Sequence, residues 1–214
     1  MDDSDSLTKD GSYKEAVRTL RHDARNLLNG IAIMAEHFEG TEDKKAARFV
    51  SYLEDKVQTM VRLGERAETF ASMSAGERQS ESLPSMISSI LDNLGEGVKP
   101  PSLQLSQTQM LCEPQLTALA LREVIDNAVK TGAPVAISSS EDGGRVVIAV
   151  SDEGPGIPEP ALPHLFTPFR GAKRAGGTSL GLPIARRAME LQGGGLDLRA
   201  GDEGGTEVVC SFPA

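Results

Sequence analysis

YKEAVRTLRHDARNLLNGIAIMAEHF, residues 13–38, contains no proline and sets Val17, Leu20, Ala24, Leu27, Ile31, Met34 and Phe38 at alternating spacings of three and four. That alternation is the apolar seam of a heptad helix, sustained over three repeats. After the polar break EGTED (39–43) the spacing resumes with Ala46, Phe49, Leu53, Met60, Leu63, Ala67 and Phe70, and Lys56 takes one seam place beside Val57. Two such helices around a short break predict a helical hairpin over residues 13–73. Leu28 and Ala35 widen the first stripe, and Val50 and Val57 the second. Each helix therefore carries more apolar face than one partner covers, which predicts a four-helix bundle built by pairing two hairpins in a homodimer.

The seam also fixes the direction of His22. It stands two residues after Leu20 and two before Ala24, so at ~100° per residue it falls on the face opposite the stripe. Its neighbours there are Glu15, Arg18, Arg25, Asn26 and Asn29, all polar. An imidazole attacks phosphorus only through an unprotonated nitrogen, and the adjacent Asp23 can orient the ring, fix its tautomer and accept the proton it sheds. Asn26, one turn on, can hold a water near the same nitrogen. His37 and His164 have no comparable company and are assigned no role.

Charge and cysteine usage narrow the class. The 214 residues carry 31 acids against 22 bases, a net charge of −9, which argues against nucleic acid or an anionic membrane as partner. The leader, residues 1–12, is polar and acidic, and no apolar run approaches the ~18 residues of a membrane span. Cys112 and Cys210 lie far apart without metal-ligand spacing and read as reduced thiols, so a cytoplasmic protein is expected.

The polar stretch around Gly76 is expected to be a linker, residues 74–83, and the grammar changes beyond it. Helices are predicted near 84–94, 114–131 and 180–192, and strands near 103–112, 134–139, 145–151, 195–200 and 206–212. The fold class expected is thus α+β: the hairpin, then an α/β two-layer sandwich over 84–214 with a mixed sheet and three helices.

Three stretches of this second part suit a nucleotide. ALALREVIDNAVKTG (118–132) puts Glu123 and Asn127 on one helix face with Lys130 a turn further; an amide oxygen can ligate Mg²⁺ and a lysine can neutralise phosphate. VSDEGPGIP (150–158) delivers Asp152 to a turn where Gly154 and Gly156 let backbone approach a planar ring, and the carboxylate can accept from an exocyclic amine. GGTSLGLPIARR (176–187) opens a helix from Gly177, Ser179 and Gly181, where free amides and the helix dipole favour phosphate. Pro183 is tolerated there because its missing N–H falls in the first turn.

Together these stretches resemble a two-component sensor histidine kinase reduced to its dimerisation and phosphotransfer hairpin and its Bergerat-type ATP-binding domain. HDARN resembles the H-box, EVIDNAVK the N-box, DEGPGIP the first glycine box, LFTPFR (165–170) the F-box and GGTSLGL the second glycine box, in family order. The resemblance implies that His22 takes the γ-phosphate of ATP, Asp23 is the general base, Asn127 binds Mg²⁺ and Asp152 reads adenine. It further implies that the loop from Glu159 to Gly177 is an ATP lid anchored by Phe166 and Phe169. A response-regulator receiver domain would be the phosphoryl acceptor, with phosphatase action on it as a further role. No sensor segment precedes the hairpin, so the chain is expected to be a fragment or to take its input from a separate protein.

The sequence departs from the family in places. No proline follows the H-box, Asn26 stands where threonine is frequent, Glu123 where many kinases have asparagine, Thr131 where tyrosine is common, and Ser179 where the last box has glycine. Rival readings are a histidine phosphotransferase that does not use ATP, a gyrase- or chaperone-type ATPase in which Glu123 activates water, an anti-sigma serine kinase, and an interaction module with decayed boxes.

Overall fold

A computed structural model describes residues 24–26, 28–31, 33, 44–94, 98–168, 179–201 and 204–213. The chain divides into two compact units, Met1–Ser72 and Met73–Ala214. In the first, residues 24–26, 28–31 and 33 are helical (α1), and α2 runs over Lys44–Ser72. Three positions that widen the stripes, Leu28, Val50 and Val57, are buried, each 7% exposed or less, as is Ala71 at the end of α2. Seam residues Ile31, Phe49 and Met60 remain exposed. An ion pair from Arg25 Nη2 to Glu65 Oε1, 2.6 Å, ties α1 to α2.

The second unit follows the order β1 (Gln79–Ser82), α3 (Leu83–Leu91), β2 (Ser102–Leu105), β3 (Gln109–Cys112), α4 (Pro114–Val129), β4 (Val135–Asp142), β5 (Arg145–Asp152), a 3-10 turn (Glu159–His164), α5 (Gly181–Leu191), β6 (Gly195–Ala200) and β7 (Thr206–Phe212). Five strands form a sheet in the order β2-β4-β5-β7-β6, with β2 parallel to β4 and every other neighbour antiparallel. The period-2 rule is visible in β5, where Val146, Ile148, Val150 and Asp152 are buried in alternation. Helices α4 and α5 pack together on that side, burying Leu121, Val124, Ile125, Ile184 and Met189 with Ile137, Val208 and Phe212. The opposite row, Ser102, Ala136, Ser151, Glu207 and Arg199 in register across all five strands, is polar or small and retains exposure, so helices cover one face of the sheet. Cys210 lies within the covered layer, and burial pushes its thiol up to about 12.

Two local expectations are corrected. The single strand read near 103–112 is two strands in different sheets, because Ser139 on β4 turns the chain at 106–108: its hydroxyl accepts from Gln107 N–H (3.0 Å) and donates to Gln107 C=O (2.8 Å). Within the stretch read as a linker, Gln79–Ser82 is a strand, paired antiparallel with β3 in a separate two-stranded sheet. Its sequence, QSES, is polar because neither face is deeply buried, which removes the alternation that would have revealed it.

The helix starts differ in how their amides are satisfied. Ser82 caps α3, and Glu113 caps α4 by accepting from Gln115 N and Leu116 N, each with proline following. At α5 the N-cap position is Leu180, which offers no side-chain cap. The far end of α5 is fastened instead. Buried Gln192 accepts at Oε1 from Glu113 N–H (3.2 Å) and Thr117 O–H (3.0 Å), and its backbone carbonyl accepts from Arg78 Nη2 (2.5 Å).

Candidate functional site

The β5 strand ends on Asp152, 8% exposed and on the helix-covered side of the sheet. Its Oδ1 accepts from Gly154 N–H at 2.9 Å, closing a side-chain turn with the residue two further on. Gly154 is required by crowding: a Cβ there would lie 2.5 Å from Asp152 Oδ1 and 2.9 Å from Thr131 Cβ. That contact places the Asp152 turn against the residue that follows the end of α4, and Glu153 N–H donates to Pro134 C=O at 3.1 Å to hold it there. From the other side Gly205, at φ +80, brings its backbone so near the Asp152 carbonyl that any side chain would collide. Gly156 also adopts a positive φ, +73.

On α4, Glu123 is 7% exposed and Asn127 half-buried, four residues apart on one face. Lys130 lies at the helix end with its side chain 65% exposed, ion-paired to Asp126 at 2.5 Å. The donor chemistry fits Mg²⁺ and no protein-caged metal: among the described residues no three His, Cys, Asp or Glu side chains gather, whereas one amide oxygen can join the water and phosphate shell that Mg²⁺ keeps.

At the start of α5, Ser179 has φ +54, the left-handed region that favours glycine, and Gly181 opens the helix. Before it, Leu165 is buried and Phe166 lies under the Arg186 guanidinium, 4.8 Å from ring centroid to Cζ. His22, Asp23, Phe169 and Gly177 lie outside the described residues. Asn26 is helical and exposed on α1.

A hollow of about 260 Å³ at the strand ends is lined by Val135, Ala136, Ser151, Asp152, Glu153 and Glu207 among others, so residues from both faces of the sheet, Asp152 included, border it. Sequence reasoning missed Thr206, the β7 register partner of Asp152, 4% exposed and on the same side. Its local signal, a Gly-Gly pair opening a strand with threonine, is weak by itself. It also missed Arg186, whose partner lies twenty residues upstream.

Residues 113–214 match the family described as histidine kinase-, DNA gyrase B- and HSP90-like ATPase. Within that group the sequence sides with the kinases: it is 37% identical over 106 residues to the signal transduction histidine-protein kinase AfsQ2 of Streptomyces coelicolor, covering 47% of this chain and 20% of that one. The second unit is a histidine-kinase-type ATP-binding domain. Outside this ATP-binding domain the likeness continues. Sporulation kinase D of Bacillus subtilis is 24% identical over 210 residues, 90% of this chain and 40% of that protein. The sensor protein BasS of Escherichia coli is 30% identical over 185 residues, 81% and 50%. The chain spans half or less of the length of these curated relatives. In fold, it resembles full-length ShkA in complex with AMPPNP, with a TM-score of 0.69 at 23% identity over 93% of this chain and 45% of that one. It also resembles the Acinetobacter baumannii histidine kinase AdeS, with a TM-score of 0.61 at 18% identity over 89% and 94%.

Proposed function

We propose that this chain is the catalytic core of a two-component sensor kinase: it binds ATP with Mg²⁺, phosphorylates its own His22 and passes the phosphoryl group to an aspartate of a response-regulator receiver domain. The observation that carries the reading is the buried Asp152 turn, set against the end of α4 in a chain that also holds the exposed helical sequence following His22–Asp23. Asp152 accepts the adenine amine, while Glu123 and Asn127 on α4 and the uncapped start of α5 at Ser179 and Gly181 serve the phosphates, with Gly154 and Gly156 shaping the turn. Lys130 reaches phosphate by exchanging its exposed pairing with Asp126, which costs little at the surface. Asn127 would hold Mg²⁺, which would supply charge neutralisation of the phosphates. The step itself balances simply: a His22 nitrogen bonds to the γ-phosphorus, the bond to the bridging oxygen breaks, ADP departs, and Asp23 takes the imidazole proton.

Phe49, Tyr52 and Met60 on α2, each 52% to 60% exposed, and the seam residue Ile31 on α1, 40% exposed, are apolar side chains that a second hairpin would cover, which supports a homodimer. Two buried free thiols fit a reducing compartment, which supports a cytoplasmic core; among the described residues no helix is long and apolar enough to cross a membrane. Asn26, exposed on α1, would hold a water for dephosphorylation of the receiver, and the input would come from a region or protein beyond this core.

Incubation with γ-labelled ATP and Mg²⁺ tests the reading. The label is expected on the wild-type chain, lost in acid and stable in base as a phosphoramidate is, and absent from His22→Ala. Undiminished labelling of that variant moves the acceptor elsewhere. A second reading, direct ATP hydrolysis with Glu123 activating water, draws on the burial of Glu123 at 7% four residues before Asn127. It predicts ATP turnover that survives His22→Ala and disappears in Glu123→Gln.

A further inference from the structure

The two nucleotide-facing helices are packed on each other, yet the segment that joins the Asp152 turn to α5 needs a fastening of its own. After the 3-10 turn Glu159–His164 the backbone closes two short bonds, Leu165 N–H to Leu162 C=O (3.4 Å) and Thr167 N–H to His164 C=O (3.0 Å). These are local and hold the segment's shape, not its place. Its place is set by Leu165, buried, and by Phe166, whose ring faces the Arg186 guanidinium at 4.8 Å. Arg186 is in turn held by Glu190 on the next turn of α5, Nε to Oε1 at 2.8 Å, so the guanidinium plane is presented to the ring by a partner on its own helix. Both charged side chains are about half exposed, 47% and 57%, and neither has a share in the apolar core.

We infer that Arg186 is a positioning residue, which pins residues 165–168 to α5 through the face of Phe166 and so presets the approach to the phosphate end of the nucleotide site. The inference rests on the ATP-binding reading for its purpose, though not for the pin itself. A planar guanidinium stacks on an aromatic face where an ammonium makes a point contact, so lysine is a partial substitute. An aliphatic residue at 166 keeps the bulk and loses the quadrupole.

Hydrogen exchange of the Leu165 and Thr167 amides in the nucleotide-free chain reads the pin directly. A cation–π contact at an exposed site corresponds to about a two- to fivefold change in an equilibrium. Exchange in Arg186→Met and in Phe166→Leu is expected to be faster by that factor, with Arg186→Lys between, and the double variant no faster than either single one. Unchanged exchange in Arg186→Met, or a double variant whose effect is the product of the singles, overturns the pin. Calorimetric titration then reads its purpose. AMPPNP with Mg²⁺ should bind about two- to fivefold more weakly to Arg186→Met while AMP binds unchanged, because the pin serves the phosphate end. Equal loss for both ligands, or none for AMPPNP, overturns the positioning role. A wild-type chain that binds no AMPPNP defeats the ATP reading, and the exchange arm still decides the contact.

Discussion

The helical unit and the α/β unit dispose of their apolar side chains in opposite ways. Leu121, Ile137, Ile148, Ile184 and Phe212 in the second unit are fully buried by the unit's own helices and sheet, whereas Phe49, Tyr52 and Met60 on α2 stay 52% to 60% exposed. On α1 and α2 the flanking residues Leu28, Val50 and Val57 are buried, Ala24, Leu53, Leu63 and Phe70 of the seam are half-buried, and Ile31, Phe49 and Met60 of the seam stay exposed. One unit is a finished core. The other leaves large apolar side chains at its described surface.

Three substitutions sharpen or break that contrast. The largest effect is expected from Ile148→Ala, at about 2–5 kcal/mol lost from the unfolding of the second unit, with a melting temperature that does not depend on protein concentration. A concentration-dependent loss would mean that this unit, too, relies on a second copy. Phe49→Ala should cost about 1–3 kcal/mol in the pairing of two chains, measured by sedimentation, while leaving the dilute chain's stability within about 0.5 kcal/mol. Destabilisation of equal size at every concentration would show the seam to be covered within one chain. The smallest effect, and a gain, is expected from Ser179→Gly: releasing a non-glycine residue from φ +54 should stabilise the second unit by about 1 kcal/mol in a thermal melt, and a loss would mean that the serine side chain outweighs its backbone.

How much of this could be read beforehand follows the range of the interactions involved. Helices α2, α4 and α5 and the four strands from β4 to β7 announce themselves through local periodicity, and Asp152 with Gly154 through a turn whose parts are adjacent in sequence. Strand β1 was hidden because QSES owes its conformation to β3, some thirty residues on, and not to any apolar alternation of its own. The break between β2 and β3 was hidden because the residue that makes it, Ser139, lies on another strand. Thr206 and Arg186 share that fate. Each gains its significance from one register or one stacking partner, and a lone threonine or arginine carries no trace of either.

The clasp at Gln192 has a mechanical corollary. With eleven residues at ~1.5 Å each, α5 is a rod of roughly 16 Å, moored at its tail to the first turn of α4 and free of a side-chain cap at its head. A swing of about 4° about that mooring displaces Gly181 by about 1 Å. The direction in which the helix start points is thus governed from its opposite pole, by the side-chain amide of Gln192.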